Sequence, residues 1–215
     1  MLSLPSPAQD QGPRGTCTAF AITALHEAKR ATDINSIAKL SEEVLYWGAK
    51  QADKNHTPGT SFRSAHLALG KWGQPQADLW PYDPSRVDAA EYTPSPEAID
   101  PKNCYFGSLE WVPVDMAEVK AHLAAGQAVA ALVQMSTSFF MAPNGAVPLP
   151  KPNELLPENH AILLTGYRDA GEIFLFRNSW GASWGQSGYG HLPYEYFTLY
   201  GKSACTIRLV SRQNT

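Results

Sequence analysis

A thiol, an imidazole and a carboxamide stand far apart in this chain, each in a setting that suits chemistry. Cys17 closes the run Gln11-Gly12-Pro13-Arg14-Gly15-Thr16-Cys17, and 143 residues later His160 stands in Asn159-His160-Ala161-Ile162. Asn178-Ser179-Trp180-Gly181 follows, with Trp184-Gly185 behind it. A thiol is a strong nucleophile only as its thiolate. An imidazole is the side chain that takes a proton near neutrality and later returns it to a leaving group. An amide beside aromatic residues supplies what such a ring needs for orientation and cover. In this order the three elements suggest a cysteine hydrolase.

The elements that must position them can be read from composition and punctuation. From Cys17 to about residue 31 the sequence has helical composition, apolar first and polar later, which predicts a helix whose buried end is Cys17. A cysteine at a helix start meets unsatisfied N–H groups and the positive end of the macrodipole, so its pKa is expected to be lowered. Ser41-Glu42-Glu43-Val44 reads as an N-cap followed by acids in the first turn of a second helix. A third is predicted over Phe62–Lys71. The stretch from Trp80 to Pro101, dense in Pro, Asp and Tyr, reads as a crossing between two lobes.

The period then changes. Strands are predicted over 108–114, 128–134, 160–167, 172–177 and 205–210, with a helix over 116–125 and a hairpin turn at Arg168-Asp169-Ala170-Gly171. Met141 to Pro157, with five prolines, reads as a surface loop. Residues 1–105 are thus expected to form a mainly helical lobe carrying the nucleophile, and 106–215 a mainly β lobe carrying His160 and Asn178.

Bulk properties narrow the class. A chain of 215 residues with 44% apolar and 17% charged content can bury a substantial core. A net charge of −3 gives no basic face for nucleic acid, and no run nears the roughly 20 apolar residues that span a bilayer. Neither nucleic acid nor membrane is expected as a partner. Cys17, Cys104 and Cys205 make an odd count, which argues against a disulfide scaffold. The other histidines, His26, His56, His66, His122 and His191, show no metal-ligand spacing with cysteines or carboxylates, so no metal and no cofactor is expected. The glycines from Gly181 to Gly190 lack a following Lys-Ser/Thr and read as tight turns, not as a phosphate cradle.

Gln11 six residues before Cys17, the Asn159-His160-Ala161 step, Asn178-Ser179-Trp180-Gly181 with Trp184-Gly185, and Gly188-Tyr189-Gly190 together resemble the papain-like cysteine peptidase family. Leu40-Ser41-Glu42-Glu43 and Trp80-Pro81-Tyr82 extend the resemblance over nearly the whole chain. It implies an α+β, two-lobe fold, a helical lobe and an antiparallel β-barrel-like lobe with the active site in the cleft between them. It also implies roles: Cys17 as nucleophile, His160 as base and later acid, Asn178 as orienter of the ring, and Gln11 as an oxyanion-hole donor beside the Cys17 N–H. Gly59, Thr60, Asn159, Trp180, Trp184 and Val210 are the implied substrate-binding residues, with Arg208 a further candidate for the P2 pocket.

The implied activity is that of an endopeptidase on peptide or protein substrates in an extended conformation. The catalytic residues leave two alternatives open, a thiol-dependent acyltransferase or deconjugating enzyme for a specific protein partner, and an inactive peptide-binding homologue. A protein inhibitor or activator is not identifiable from sequence.

The chain departs from the family pattern in several places. Thr18 stands where an aromatic usually follows the nucleophile, Arg14 where a cysteine is usual, and Thr60 in the glycine strip after Gly59. Cys104 and Cys205 lack their usual partners. That thiol usage, with no signal peptide or propeptide in the sequence, sets the expectation of a cytoplasmic protein.

Overall fold

The computed structural model describes residues 2–55, 57–86 and 92–211. His56, one of the histidines weighed above, lies outside them. Ser41 and Ser61 decide where two helices start. Each hydroxyl accepts from the backbone N–H three residues on, Val44 and Ser64, at 3.1 Å. Each thereby satisfies a donor that the first helical turn cannot use. They open α2 (Glu42–Asp53) and α3 (Phe62–Lys71), while α1 (Cys17–Ile34) begins at the cysteine itself.

The chain divides into two compact units, one of Gln11–Glu110 with Ile207 onward, the other of the described residues to Asp10 with Trp111–Thr206. The division is not a single cut near residue 105. The chain changes unit at Asp10–Gln11, at Glu110–Trp111 and at Thr206–Ile207, so the described residues near each end lie with the unit that the opposite half builds.

In the helical unit, Ala19 and Ile22 of α1, Val44, Leu45 and Ala49 of α2, and Ala65 and Leu69 of α3 are wholly buried. Gly48 permits the close approach of α2 to α3, since a Cβ there would meet Ala68 and Trp72 at 3.1 Å. The segment from Trp80 to Pro101, expected as a crossing, stays within this unit. Residues 87–91 inside it fall outside the described residues.

The second unit is built on α4 (Met116–Ala124), β2 (Val129–Ser136), α5 (Thr137–Phe140), β3 (Leu155–Arg168), β4 (Ile173–Arg177), β5 (Tyr189–Pro193) and α6 (Tyr194–Tyr200); β1 (Phe106–Val112) starts in the helical unit and enters this one after Glu110, and β6 (Gly201–Val210) leaves it after Thr206. The sheet order is β1-β6-β2-β3-β4-β5, and β2, β3, β4 and β5 are antiparallel to their neighbours in turn. The expected 168–171 turn joins β3 to β4 through a short 3-10 segment.

The start of β3 differs from the sequence expectation. The strand expected from His160 starts at Leu155, inside the expected loop, and includes Pro157. The register between β2 and β3 jumps from Gln134↔Asn159 to Ser136↔Leu155, which leaves the proline in an irregular stretch where its missing N–H breaks no ladder. The aromatic run Tyr194–Tyr200 has strand composition yet forms α6, because helical spacing places Tyr194 and Phe197 on Phe174 and sets Tyr196 against Tyr200.

Helix α1 carries one buried ionisable group with a measurable consequence. Gln74 spends its Nε2 on Thr23 Oγ1 (2.7 Å) and Ser41 O (3.2 Å), so its Oε1 accepts from His26 Nδ1 at 2.9 Å. His26 is therefore the neutral Nδ1–H tautomer, and its buried Nε2 has no hydrogen-bond partner. Burial, opposed by the Gln74 hydrogen bond and assisted by nearby Arg30, lowers its pKa to about 4. The unfolded chain binds this proton near pH 6.5 and the folded chain only near pH 4. The contribution is therefore complete above pH 6.5 and is lost as pH falls through that window. Native protein is expected to lose about 3 kcal/mol across it. Melting curves against pH should be flatter for His26→Asn, which keeps a donor near Nδ1; an equally steep variant would contradict this account.

Candidate active site

His160 follows from strand parity. It lies opposite Val133 in the β2–β3 ladder and shares a face of β3 with Ile162 and Leu164, both in the core. Its ring is 4% exposed and packs on Phe139 of α5 at 5.9 Å between centroids, edge to face. Trp180 covers it at 4.6 Å and 31° between planes. Phe140 is stacked on the outer side of Trp180 at 5.1 Å.

Asn178 is the first residue after β4, held by its N–H to Gly188 O at 2.9 Å. Its Oδ1 lies 2.7 Å from His160 Nε2 and accepts the Ser179 N–H at 2.8 Å. The Ser179 bond identifies that atom as the amide oxygen, so His160 Nε2 carries the hydrogen and donates. Nδ1 is left as the nitrogen able to exchange a proton with a substrate or a thiol. The imidazole is thus fixed in tautomer and orientation, and shielded from water, by residues of its own unit.

The thiol is positioned by different means. Cys17 is the first residue of α1 and is partly exposed, whereas Cys104 and Cys205 are buried; none of the three is in a disulfide. Cys104 Sγ donates to Ala98 O at 3.4 Å, and burial pushes the Cys205 thiol far above its ordinary value. Those two are inert packing thiols. In the approach to Cys17, Gln11 is 7% exposed and its Nε2 donates to Arg14 O at 2.7 Å. The Thr16 N–H reaches the same carbonyl at 2.8 Å. Tyr82 OH donates to Gln11 O at 2.7 Å and lies 2.8 Å from Thr16 Oγ1.

A model of the papain family cysteine proteases matches residues 4–208. The chain belongs to the papain family of cysteine proteases. A solved structure of xylellain, a cysteine protease from Xylella fastidiosa, superposes with a TM-score of 0.86 at 27% identity, covering 97% of this chain and 85% of that one. A peptidase C1-like protein of Acanthamoeba polyphaga mimivirus is 24% identical over 87% of this chain and 64% of its own length. Mouse pro-cathepsin H is 27% identical over 93% of this chain and 58% of its own. The chain therefore spans about three fifths of the length of these curated relatives. The fold is the papain-like α+β fold expected from the sequence.

Against that family pattern, the substituted positions have structural work to do. Thr18, in place of the aromatic, donates from Oγ1 to Thr60 O at 3.0 Å. The strip holding Thr60 is pinned by Lys50 Nζ, which reaches Asn55 Oδ1 and Thr57 O at 2.8 Å, Gly59 O at 3.1 Å and Asp53 Oδ2 at 3.3 Å. Hydrogen bonds to a buried ammonium are worth about 1.5–3 kcal/mol each in the direction of ordering such a loop. Gly59, at φ +88°, supplies a backbone turn that side chains resist, and a Cβ on neighbouring Gly15 would come within 2.8 Å of Gly59 N. Lys50 was not legible as a site residue, because its ligands come mostly from carbonyls.

The other expected substrate-binding residues fall in different settings. Asn159 is exposed on β3 opposite Gln134. Trp184 stands edge-on to Trp180 at 5.5 Å and is stacked on Phe139 at 6.3 Å, so it backs the wall that Trp180 forms. Val210, 37% exposed, ends β6, and Arg208 is paired at 3.1 Å with exposed Glu110; Ile207, 3% exposed, is the buried side chain of that strand end. Among the described residues no cluster of His, Cys, Asp and Glu is arranged to hold a metal, and no helix is long and apolar enough to cross a membrane.

Proposed function

We propose that this chain is a cysteine endopeptidase that hydrolyses peptides bound in extended conformation through a thioester on Cys17. The observation that carries the reading is the His160 Nε2 to Asn178 Oδ1 hydrogen bond of 2.7 Å beneath Trp180, which leaves Nδ1 for proton transfer. Membership of the papain family supports pairing that imidazole with Cys17.

The chemistry then runs as follows. His160 Nδ1 holds the proton of Cys17, and the thiolate at the first turn of α1 is favoured by the helix dipole. Sγ attacks the scissile carbonyl carbon. The oxyanion that forms is met by Gln11 Nε2 and by the Cys17 N–H, which as the first amide of α1 the helix does not use. Collapse of the adduct breaks the C–N bond as His160 gives its proton to the leaving amine. A water, deprotonated by the same nitrogen, then cleaves the thioester and restores the thiol.

Backbone groups of Gly59 and Thr60, held by Lys50 and Thr18, suit pairing with the substrate main chain. Three cysteines with no disulfide among them fit a reducing compartment.

A peptidyl epoxide tests the reading, because it needs both an activated thiol and an ordered peptide site. Intact mass should show one adduct on the parent chain and none on Cys17→Ala. A folded parent that takes no adduct, yet is alkylated at Cys17 by iodoacetamide, would refute the peptide-binding half of the proposal.

A further inference from the structure

Arg14 stands three residues before the nucleophile, where the papain family pattern has a cysteine, and it is buried with all its charge accounted for. Its Nη1 and Nη2 donate to Glu43 Oε2 and Oε1 at 2.7 and 3.0 Å in a two-pronged pair, and Nη1 also reaches Asp83 O at 2.8 Å. The guanidinium lies over the rings of Tyr46 (5.2 Å) and Tyr82 (5.0 Å). Glu43, fully buried in the first turn of α2, further accepts from Tyr92 OH and from the Asp83 N–H at 3.1 Å. Two prongs fix a planar group in direction as well as distance, which an ammonium cannot do.

The other end of the same residue faces the chemistry. The Arg14 carbonyl accepts the Gln11 side-chain amide at 2.7 Å and the Thr16 N–H at 2.8 Å. The segment from Gln11 to Thr16 also contains Gly12 at φ +60° and Gly15, with only Pro13 fixing a φ, so its backbone alone holds that carbonyl loosely.

We infer that Arg14 is a positioning residue for the oxyanion hole: Glu43 clamps its guanidinium, the clamp fixes its carbonyl, and the carbonyl aims the Gln11 amide. A primary amide is planar, so the N–H directed at Arg14 sets the direction of the whole group. The inference rests on the proposed role of Gln11. Tyr82, which holds Gln11 O and stacks on Arg14, belongs to the same device.

The test is a double-mutant cycle on a quenched-fluorescent peptide selected from a library varied at P2. Arg14→Lys keeps the charge and removes the two-pronged geometry. It should lower kcat about 10- to 100-fold with KM within about 3-fold, while iodoacetamide alkylation of Cys17, which forms no oxyanion, keeps the parent rate. In a Gln11→Ala background the same substitution should change kcat by less than about 3-fold, because its effect passes through Gln11.

If Gln11→Ala alone leaves kcat unchanged, the oxyanion reading of Gln11 fails, and this inference with it. If Gln11→Ala is slow but Arg14→Lys is not, or if the two losses multiply, the inference alone is overturned. Slowed alkylation in Arg14→Lys would likewise overturn it, by locating the damage at the thiol. Should Arg14→Lys fail to fold, Glu43→Gln carries the same cycle, since it weakens the clamp and leaves Arg14 in place.

Discussion

Cys17→Ala is expected to lower kcat/KM for peptide hydrolysis by on the order of 10⁶-fold while leaving the folded chain intact. The size follows from the role: removing the nucleophile removes the acyl-enzyme route entirely, and only binding and oxyanion donors remain to assist water. The intact fold follows from position. Cys17 is partly exposed at the first turn of α1, with no disulfide to lose and a helix-favouring replacement. Its stability should therefore change by no more than an ordinary surface substitution does, about 0.5 kcal/mol. Cys17→Ser should be nearly as inactive, since a hydroxyl is far harder to ionise than a thiol. Steady-state hydrolysis of the library-selected peptide, with folding checked by circular dichroism, decides the matter. Residual activity within 100-fold of the parent would mean that Cys17 is not the nucleophile.

What the sequence disclosed was local. The start of α1 at Cys17, the cap at Ser41, the span of α3 and the 168–171 turn are each set by a few adjacent residues, and each stands in the structure. The His160–Asn178 bond was legible because family motifs carry it across the 18 residues between. The supports that make the site specific to this chain were not legible. Lys50 holds the Gly59 strip largely through carbonyls, which every residue type shares. Glu43 looked like a first-turn acid on α2, a role that its position does fill; that it also clamps Arg14 depends on a contact spanning 29 residues. Tyr82, read as part of a linker, closes on Gln11 across 71 residues. Such contacts leave no period and no punctuation. They arise when packing brings together side chains whose local sequence would permit many other uses.

The second large effect is expected at His160, where proton chemistry can be separated from packing. His160→Ala would leave a hole against Trp180 and Phe139, mixing a stability loss with a catalytic one. His160→Gln is the cleaner variant: its amide N–H can still donate to Asn178 Oδ1, but it accepts no proton. It is expected to reduce kcat by on the order of 10⁴-fold or more.

Alkylation of Cys17 should slow as well. Without an imidazolium partner, a thiol of ordinary pKa ~8.5 is only a few per cent ionised at neutral pH. The iodoacetamide rate would then acquire the pH dependence of a simple thiol, rising with alkali. Asn178→Ala should do less harm: the ring keeps its aromatic cover and can still carry a proton, so its kcat should fall well short of the His160→Gln loss. If the His160→Gln alkylation profile matches the parent while kcat collapses, His160 acts on the leaving amine alone, and some other group must ionise Cys17.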